Sequence, residues 1–119
     1  MKRRVMIIGG GASGMTAAIA AAREGADAVI LEHTKRPGKK ILSTGNGKCN
    51  LTNLDMRKEA FRGENPGFAW KVVGEVPVKE TLSFFEDLGL VLTDRNGYVY
   101  PATGQASSVL DALRFELER

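Results

Sequence analysis

Gly9, Gly11 and Gly14 stand at the spacing G-x-G-x-x-G in the segment IIGGGASGMTAAIAAAREGADAVILE, and an acid, Glu32, closes that segment. Each position has a chemical reason. Gly9 permits a tight turn out of a strand. Gly11 carries no side chain, so a pyrophosphate can approach the backbone. Gly14 lets the following helix pack close to a sheet. The helix that opens at Ala12 and Ser13 offers free N–H groups and a partial positive charge to that pyrophosphate, and the Ser13 hydroxyl adds a donor. Glu32 can accept hydrogen bonds from the hydroxyls of an adenosine ribose. A 2′-phosphate at that point would meet like charge. The glycine pattern alone is a weak signal, and its bland reading is a glycine-rich turn with no ligand; its place between a strand and a helix, with an acid ending the next strand, is the context a dinucleotide site requires. The pattern does not choose between FAD and NAD.

The elements that must position these residues are legible on either side. Val5 to Ile8 is a continuous apolar run stopped by glycines, as in a parallel strand buried on both faces. SGMTAAIAAAREGA is Ala-rich and helix-forming, and Gly25 suits the left-handed residue at a helix C-terminus. Ala28 to Leu31 is a second buried strand, parallel to the first through a right-handed crossover. Arg36 to Asn53 has no period and is expected to be loop. A short helix is expected after Pro66. Val78, Leu82, Phe85 and Leu88 share one face of a further helix that Gly89 can end. LVLTDRNGYVYP is a hairpin around Asn96-Gly97. SSVLDALRFELER is a helix with a capping box at Ser108 and Asp111 and an apolar face of Val109, Leu110, Leu113 and Leu117. Tyr98, Tyr100, Trp70 and the phenylalanines are assigned to core packing. The fold class is therefore α/β: a partial Rossmann-type domain that starts β-α-β with parallel strands and continues into helices and a β-hairpin. Two parallel strands cannot bury both faces of a sheet, and the last helix is still running at Arg119. Residues 1–119 are thus expected to be the N-terminal part of a cofactor-binding domain in a larger enzyme.

Composition bounds the rest. The 119 residues are 43% apolar and 26% charged, the balance of a globular domain. No apolar run approaches the roughly 20 residues that span a bilayer. A single cysteine, Cys49, cannot form an internal disulfide, so a reducing cytoplasm is the expected compartment. Net charge is +3, and the cations are clustered. His33 to Leu54 contains no acid but holds Lys35, Arg36, Lys39, Lys40 and Lys48, which is either a solvated basic loop or an anion site. That loop lacks interleaved aromatics, so base stacking has no support, and neither a nucleic-acid nor a membrane partner is expected. His33 is the only histidine, which leaves no Ser-His-Asp arrangement and no Cys/His cluster for a metal.

Taken together, IIGGGASGMTAAIAAAREGA, the Leu-Glu that ends the second strand, GKKILSTGNGKCNLTN, GENPGFAW, FFEDLGL and YVYPATGQASSVLDAL resemble the BaiN-like family of NAD(P)/FAD-dependent flavoproteins, a group also described as aminoacetone oxidase-like. These segments cover nearly the whole chain, and the GKK…TGNGKCNLTN block is the specific one. The resemblance implies FAD as cofactor, NAD(P)H as electron donor, a small-molecule substrate, and the rest of its own polypeptide as the other wall of the site. It implies that Lys39 and Lys40 lie near the phosphates or the flavin. It also implies that Thr44, Gly45, Asn46, Gly47 and Asn50 line the isoalloxazine, glycines allowing close approach and positive φ. Lys48 is the candidate for a cation near the flavin N1 and C2 carbonyl. The family more often has Arg there, and Lys keeps the charge without the planar fork. Cys49 is read as a small buried residue, with a redox thiol as the alternative. Tyr100 to Ser107 is either a turn capping the last helix or a segment facing the substrate side of the flavin. No residue is assigned as a catalytic acid, base or nucleophile. Two rivals remain: an NAD-binding dehydrogenase domain, and a non-catalytic nucleotide-binding module should the chain end at Arg119.

Overall fold

The computed structural model describes residues 1–119. The chain opens as β1 (Arg4–Ile8), α1 (Ala12–Arg23) and β2 (Asp27–Leu31). β1 and β2 pair in parallel, in register from Arg4 opposite Asp27 to Ile8 opposite Leu31. Gly25 ends α1 at φ 88°, as its position predicts. A second, antiparallel sheet contains β3 (Thr52–Asn53), β4 (Leu92–Arg95) and β5 (Tyr98–Pro101), with β5 in the middle. The hairpin joining β4 to β5 turns at Asn96 and Gly97 with φ of 52° and 90°, the pair of positive values a two-residue primed turn needs. Between β3 and β4 the chain forms α2 (Pro66–Gly74) and α3 (Val78–Asp87), and α4 (Ala106–Glu118) follows the hairpin. Pro66 opens α2, where its missing N–H costs nothing, and Asn65 Oδ1 caps it by accepting from Phe68 N.

The core forms where α4 returns to the N-terminal unit. Met15 and Ile19 of α1, Ile41 and Cys49, and Ala106, Val109, Leu110 and Leu113 of α4 bury one another. Phe84 and Phe85 of α3, with Leu88 just after it, pack against this cluster. The Arg23 guanidinium lies 5.2 Å from the centre of the Phe84 ring and 3.6 Å from Glu116 Oε1, tying α1 to both α3 and α4.

Four expectations need correction. The apolar runs of β1 and β2 are not buried on both faces: Val5, Met6 and Ile8 of β1 and Leu31 of β2 are exposed, because a two-stranded sheet with α1 on one side leaves the other side open. Arg36 to Asn53 is not structureless. Lys39–Gly47 winds in 3-10 turns broken at Thr44, Gly45 and Asn46, and Thr52–Asn53 is a strand. Such turns rest on short-range i→i+3 hydrogen bonds, interrupted by positive-φ breaks, rather than on an apolar period, so the periodicity misses them. The capping box is absent because α4 begins earlier, at Ala106. Ser108 lies inside the first turn, where its hydroxyl meets that of Thr103 at 2.6 Å. Finally, Phe68, Tyr98 and Phe115 are exposed rather than core residues.

Candidate functional site

The fingerprint turn is built as its glycines require. Gly9 sits at φ 97° and donates its N–H to the Leu31 carbonyl at 2.8 Å, fastening the turn to β2. A Cβ on Gly14 would overlap the Gly9 carbonyl oxygen, so only glycine allows α1 to approach the turn this closely. Gly11 caps α1 with no side-chain bond, and a Cβ there would meet nothing, so open space lies directly before the helix. Met15 N takes the first helical carbonyl, that of Gly11. The N–H groups of Gly11, Ala12, Ser13 and Gly14 have no protein acceptor. No acidic side chain occupies the first turn of α1. The result is a set of free donors at the positive end of a helix dipole.

Glu32 is locked beside that turn. Its Oε1 accepts from Gly10 N at 2.9 Å, and its Oε2 accepts from Thr34 N at 2.8 Å and from the Thr34 hydroxyl at 2.6 Å. The Thr34 hydroxyl does most to hold the Glu32 carboxyl down to about 2, with the Gly10 and Thr34 N–H groups adding to the effect. Three donors still leave acceptor capacity on both oxygens.

These parts converge on one open groove of about 570 Å³. Gly10 and Gly11 form one wall, Glu32, His33 and Thr34 a second, and Gly38, Lys39, Lys40, Leu42 and Ser43 a third. The structure therefore brings together the fingerprint, Glu32, Lys39 and Lys40. Thr44, Gly45, Asn46, Gly47, Lys48 and Asn50 lie outside that groove. Asn50 Nδ2 donates to the Thr52 and Val99 carbonyls at 3.0 and 3.1 Å, pinning the loop to β5. A Cβ on Gly45 would overlap Asn50 N, so this glycine serves the packing of the loop on itself. Asn46 and Gly47 take positive φ, with open space before Gly47. Lys48 lines a smaller groove of about 260 Å³ against the hairpin, with Arg95, Tyr100, Pro101, Ala102 and Gly104. Tyr100 to Ser107 thus joins Lys48, and it also makes the turn into α4, where Thr103 Oγ1 accepts from Gln105 N. Cys49 is buried in the core, and burial pushes its thiol upward against a weaker opposing bond from Thr44.

Three contributors escaped the sequence reading. Gly10 occupies an unassigned position of the fingerprint, yet it is buried, and a Cβ there would press on Pro37 Cβ at 2.8 Å. Gly38, at φ 76°, accommodates Met15 and Leu110 where a side chain would collide. Thr34 orients Glu32. The signal for Gly10 and Gly38 is glycine itself at a chain reversal; Thr34 gave only a hydroxyl two residues beyond an acid.

A strand–glycine turn–helix with free N–H donors, and an ionised acid at the end of the next parallel strand, define a Rossmann-type dinucleotide-binding unit. Residues 3–119 match the family described as the HI0933-like protein Rossmann domain, and the chain belongs to that family. This bears out the resemblance to BaiN-like flavoproteins. The chain is 54% identical over 118 residues to a 3-dehydro-bile acid delta(4,6)-reductase of Clostridium scindens, covering 98% of this chain and 29% of that protein. It is 28% identical to a ribosomal RNA dihydrouridine synthase of Escherichia coli over 114 residues, 96% of this chain and 28% of that one. A ribosomal RNA dihydrouridine synthase of Haemophilus influenzae is 27% identical over 115 residues, with 96% and 28% covered. The chain spans less than a third of the length of these relatives.

Proposed function

We propose that this chain is the N-terminal FAD-binding part of a flavin-dependent oxidoreductase that takes electrons from NAD(P)H and reduces a carbon–carbon double bond in a small-molecule substrate. The observation that carries the reading is the groove in which Glu32 stands beside the unpaired N–H groups of α1. Those donors suit a pyrophosphate, the ionised Glu32 suits ribose hydroxyls, and Lys39 and Lys40 neutralise phosphate charge from the opposite wall. Bound FAD would supply the hydride-transfer chemistry, which the side chains present do not. The named activities of the relatives, a delta(4,6)-reductase and dihydrouridine synthases, support double-bond reduction as the class of reaction. Lys48 and the Tyr100–Ser107 segment, which share the hairpin groove, are the residues we place toward the flavin ring.

In this reading the rest of the polypeptide supplies the far wall of the flavin site and covers the open face of β1 and β2. No helix is long and apolar enough to cross a membrane, and a lone buried thiol suits a reducing cytoplasm. The test is the visible absorption spectrum of the full-length protein, which should show bound flavin; a colourless protein would support the NAD-binding alternative instead. Glu32→Ala should weaken FAD binding roughly tenfold or more, since it removes charge-assisted hydrogen bonds. Unchanged FAD affinity would remove Glu32 from the ribose site.

A further inference from the structure

α2 stands apart from the core. None of its residues is buried, and none joins the cluster built by α1, α4 and the loop. It is held from one face, where Trp70 meets the Phe61 ring edge-on at 5.7 Å. Phe68 and Val72 stand on the opposite face. Val76 continues their line, because Glu75 N and Val76 N bond to the Val72 and Val73 carbonyls and carry the winding past Gly74. Phe68 is 65% exposed, Val72 54% and Val76 53%. An apolar helix stripe of this kind ordinarily faces a packing partner. Lys71 and Glu75 run along one flank of the stripe, each one residue before an apolar position. Both are exposed, and neither takes part in an ion pair. Lysine four residues before glutamate is the less favourable order within one helix, so both charges are free for a partner.

We propose that this face pairs with the same face of a second copy of the chain, the two α2 helices running antiparallel about a two-fold axis near Val72. Such an axis brings like flanks of the two helices together. Phe68 then lies level with the partner's Val76. Lys71 stands two residues, about 3 Å along the axis, from level with the partner's Glu75, within reach of its long side chain. The two-fold axis repeats both contacts. A parallel pair would set this flank against Ala69 and Val73, which carry no charge. An apolar stripe alone would suit any apolar surface; the self-complementary flank is what selects a second copy. Three apolar side chains from each copy make a small interface, so the association is weak and concentration-dependent.

The experiment is analytical ultracentrifugation of the full-length protein at low salt, from about 1 to about 100 μM. The average mass should rise with concentration toward twice that of one chain. K71E alone, or E75K alone, sets like charges across both contacts and should weaken association roughly tenfold. An equal mixture of the two single variants places opposite charges across both contacts again and should recover it, as should the double variant K71E/E75K. All of these positions are exposed, and circular dichroism checks that each variant folds. A constant monomer mass overturns the proposal; if V72D then lowers the urea midpoint, the stripe is covered within the same polypeptide. Association that the single charge reversals leave unchanged also overturns it, assigning another face. Failure of the mixture to recover association overturns the antiparallel pairing. None of these outcomes bears on flavin binding, so the proposed function stands or falls separately.

Discussion

At the scale of the residue, Glu32 is more constrained than its place in the sequence suggests. An acid at a strand end is ordinarily solvated and mobile. Here two N–H groups and the Thr34 hydroxyl fix both oxygens before any ligand arrives, so the acceptor geometry is prepaid. Its pKa falls from 4.5 to about 2. Because the shift is downward, the stabilising bonds are fully present above about pH 4.5 and are lost as pH falls toward 2. Thr34→Val removes the hydroxyl and leaves the backbone donors. The carboxyl should then titrate closer to its ordinary value, and ligand affinity should begin to fall at a higher pH than in the wild type. Thr34→Ser should restore both. Carbon-13 NMR titration of the Glu32 carboxyl reads the effect directly, and an unmoved titration in Thr34→Val would show that the hydroxyl is not the main cause. The acid itself was legible in the sequence, since G-x-G-x-x-G fixes where to look for it. Thr34 and Gly10 were not, because their roles arise from a contact between two chain reversals that no local pattern encodes.

At the scale of the element, whatever has a period or a dedicated turn residue was readable: the parallel pair, α1 with Gly25, α3 with Gly89, and the Asn96-Gly97 hairpin. The loop from Arg36 to Asn53 was not. Its path is bounded and broken by Gly38, Gly45, Asn46, Gly47 and Cys49 at positive φ, and held by hydrogen bonds such as Thr44 Oγ1 to the Ile41 carbonyl at 2.7 Å. The start of α4 was misplaced for a related reason: Ser108 has the chemistry of a cap, but its hydroxyl meets Thr103 instead. What positions the loop is α4, through Leu110 against Gly38 and through the shared core with Ile41 and Cys49. Leu113 is fully buried at the centre of that contact. Leu113→Ala should cost about 2–5 kcal/mol, as large-to-small core changes do, read as a lower midpoint in urea unfolding of the full-length protein. Because the same helix holds the third wall of the dinucleotide groove, flavin retention should fall at urea concentrations below that midpoint. A midpoint unchanged within error would mean that α4 is not the element that anchors the loop.

At the scale of the whole molecule, the open face of the parallel sheet is the feature that most needs a partner. Met6 is 60% exposed, Ile8 79% and Leu31 48%, in strands whose sequence has the continuous apolarity of a fully covered sheet. Leaving such a patch in water forfeits the burial, worth roughly 25 cal/mol per Å² of apolar surface, that favours this composition in a strand. The relatives are more than three times as long as the region they share with this chain, and under the proposed function the partner to expect is the remainder of a longer polypeptide. Met6 provides a reporter, because its thioether is oxidised by peroxide only when solvent reaches it. Oxidation of Met6, followed by mass spectrometry of its peptide, should be fast in the 119-residue chain alone and several-fold slower in the full-length protein. Met15, which is fully buried among α1 and α4, should be slow in both and serves as the internal control. If Met6 is oxidised equally fast in the two forms, the sheet face stays open in the complete protein, and the remainder of the chain packs elsewhere. If Met15 is also fast in the short chain, the core itself has loosened, and the exposure of β1 follows from lost structure rather than from a missing cover.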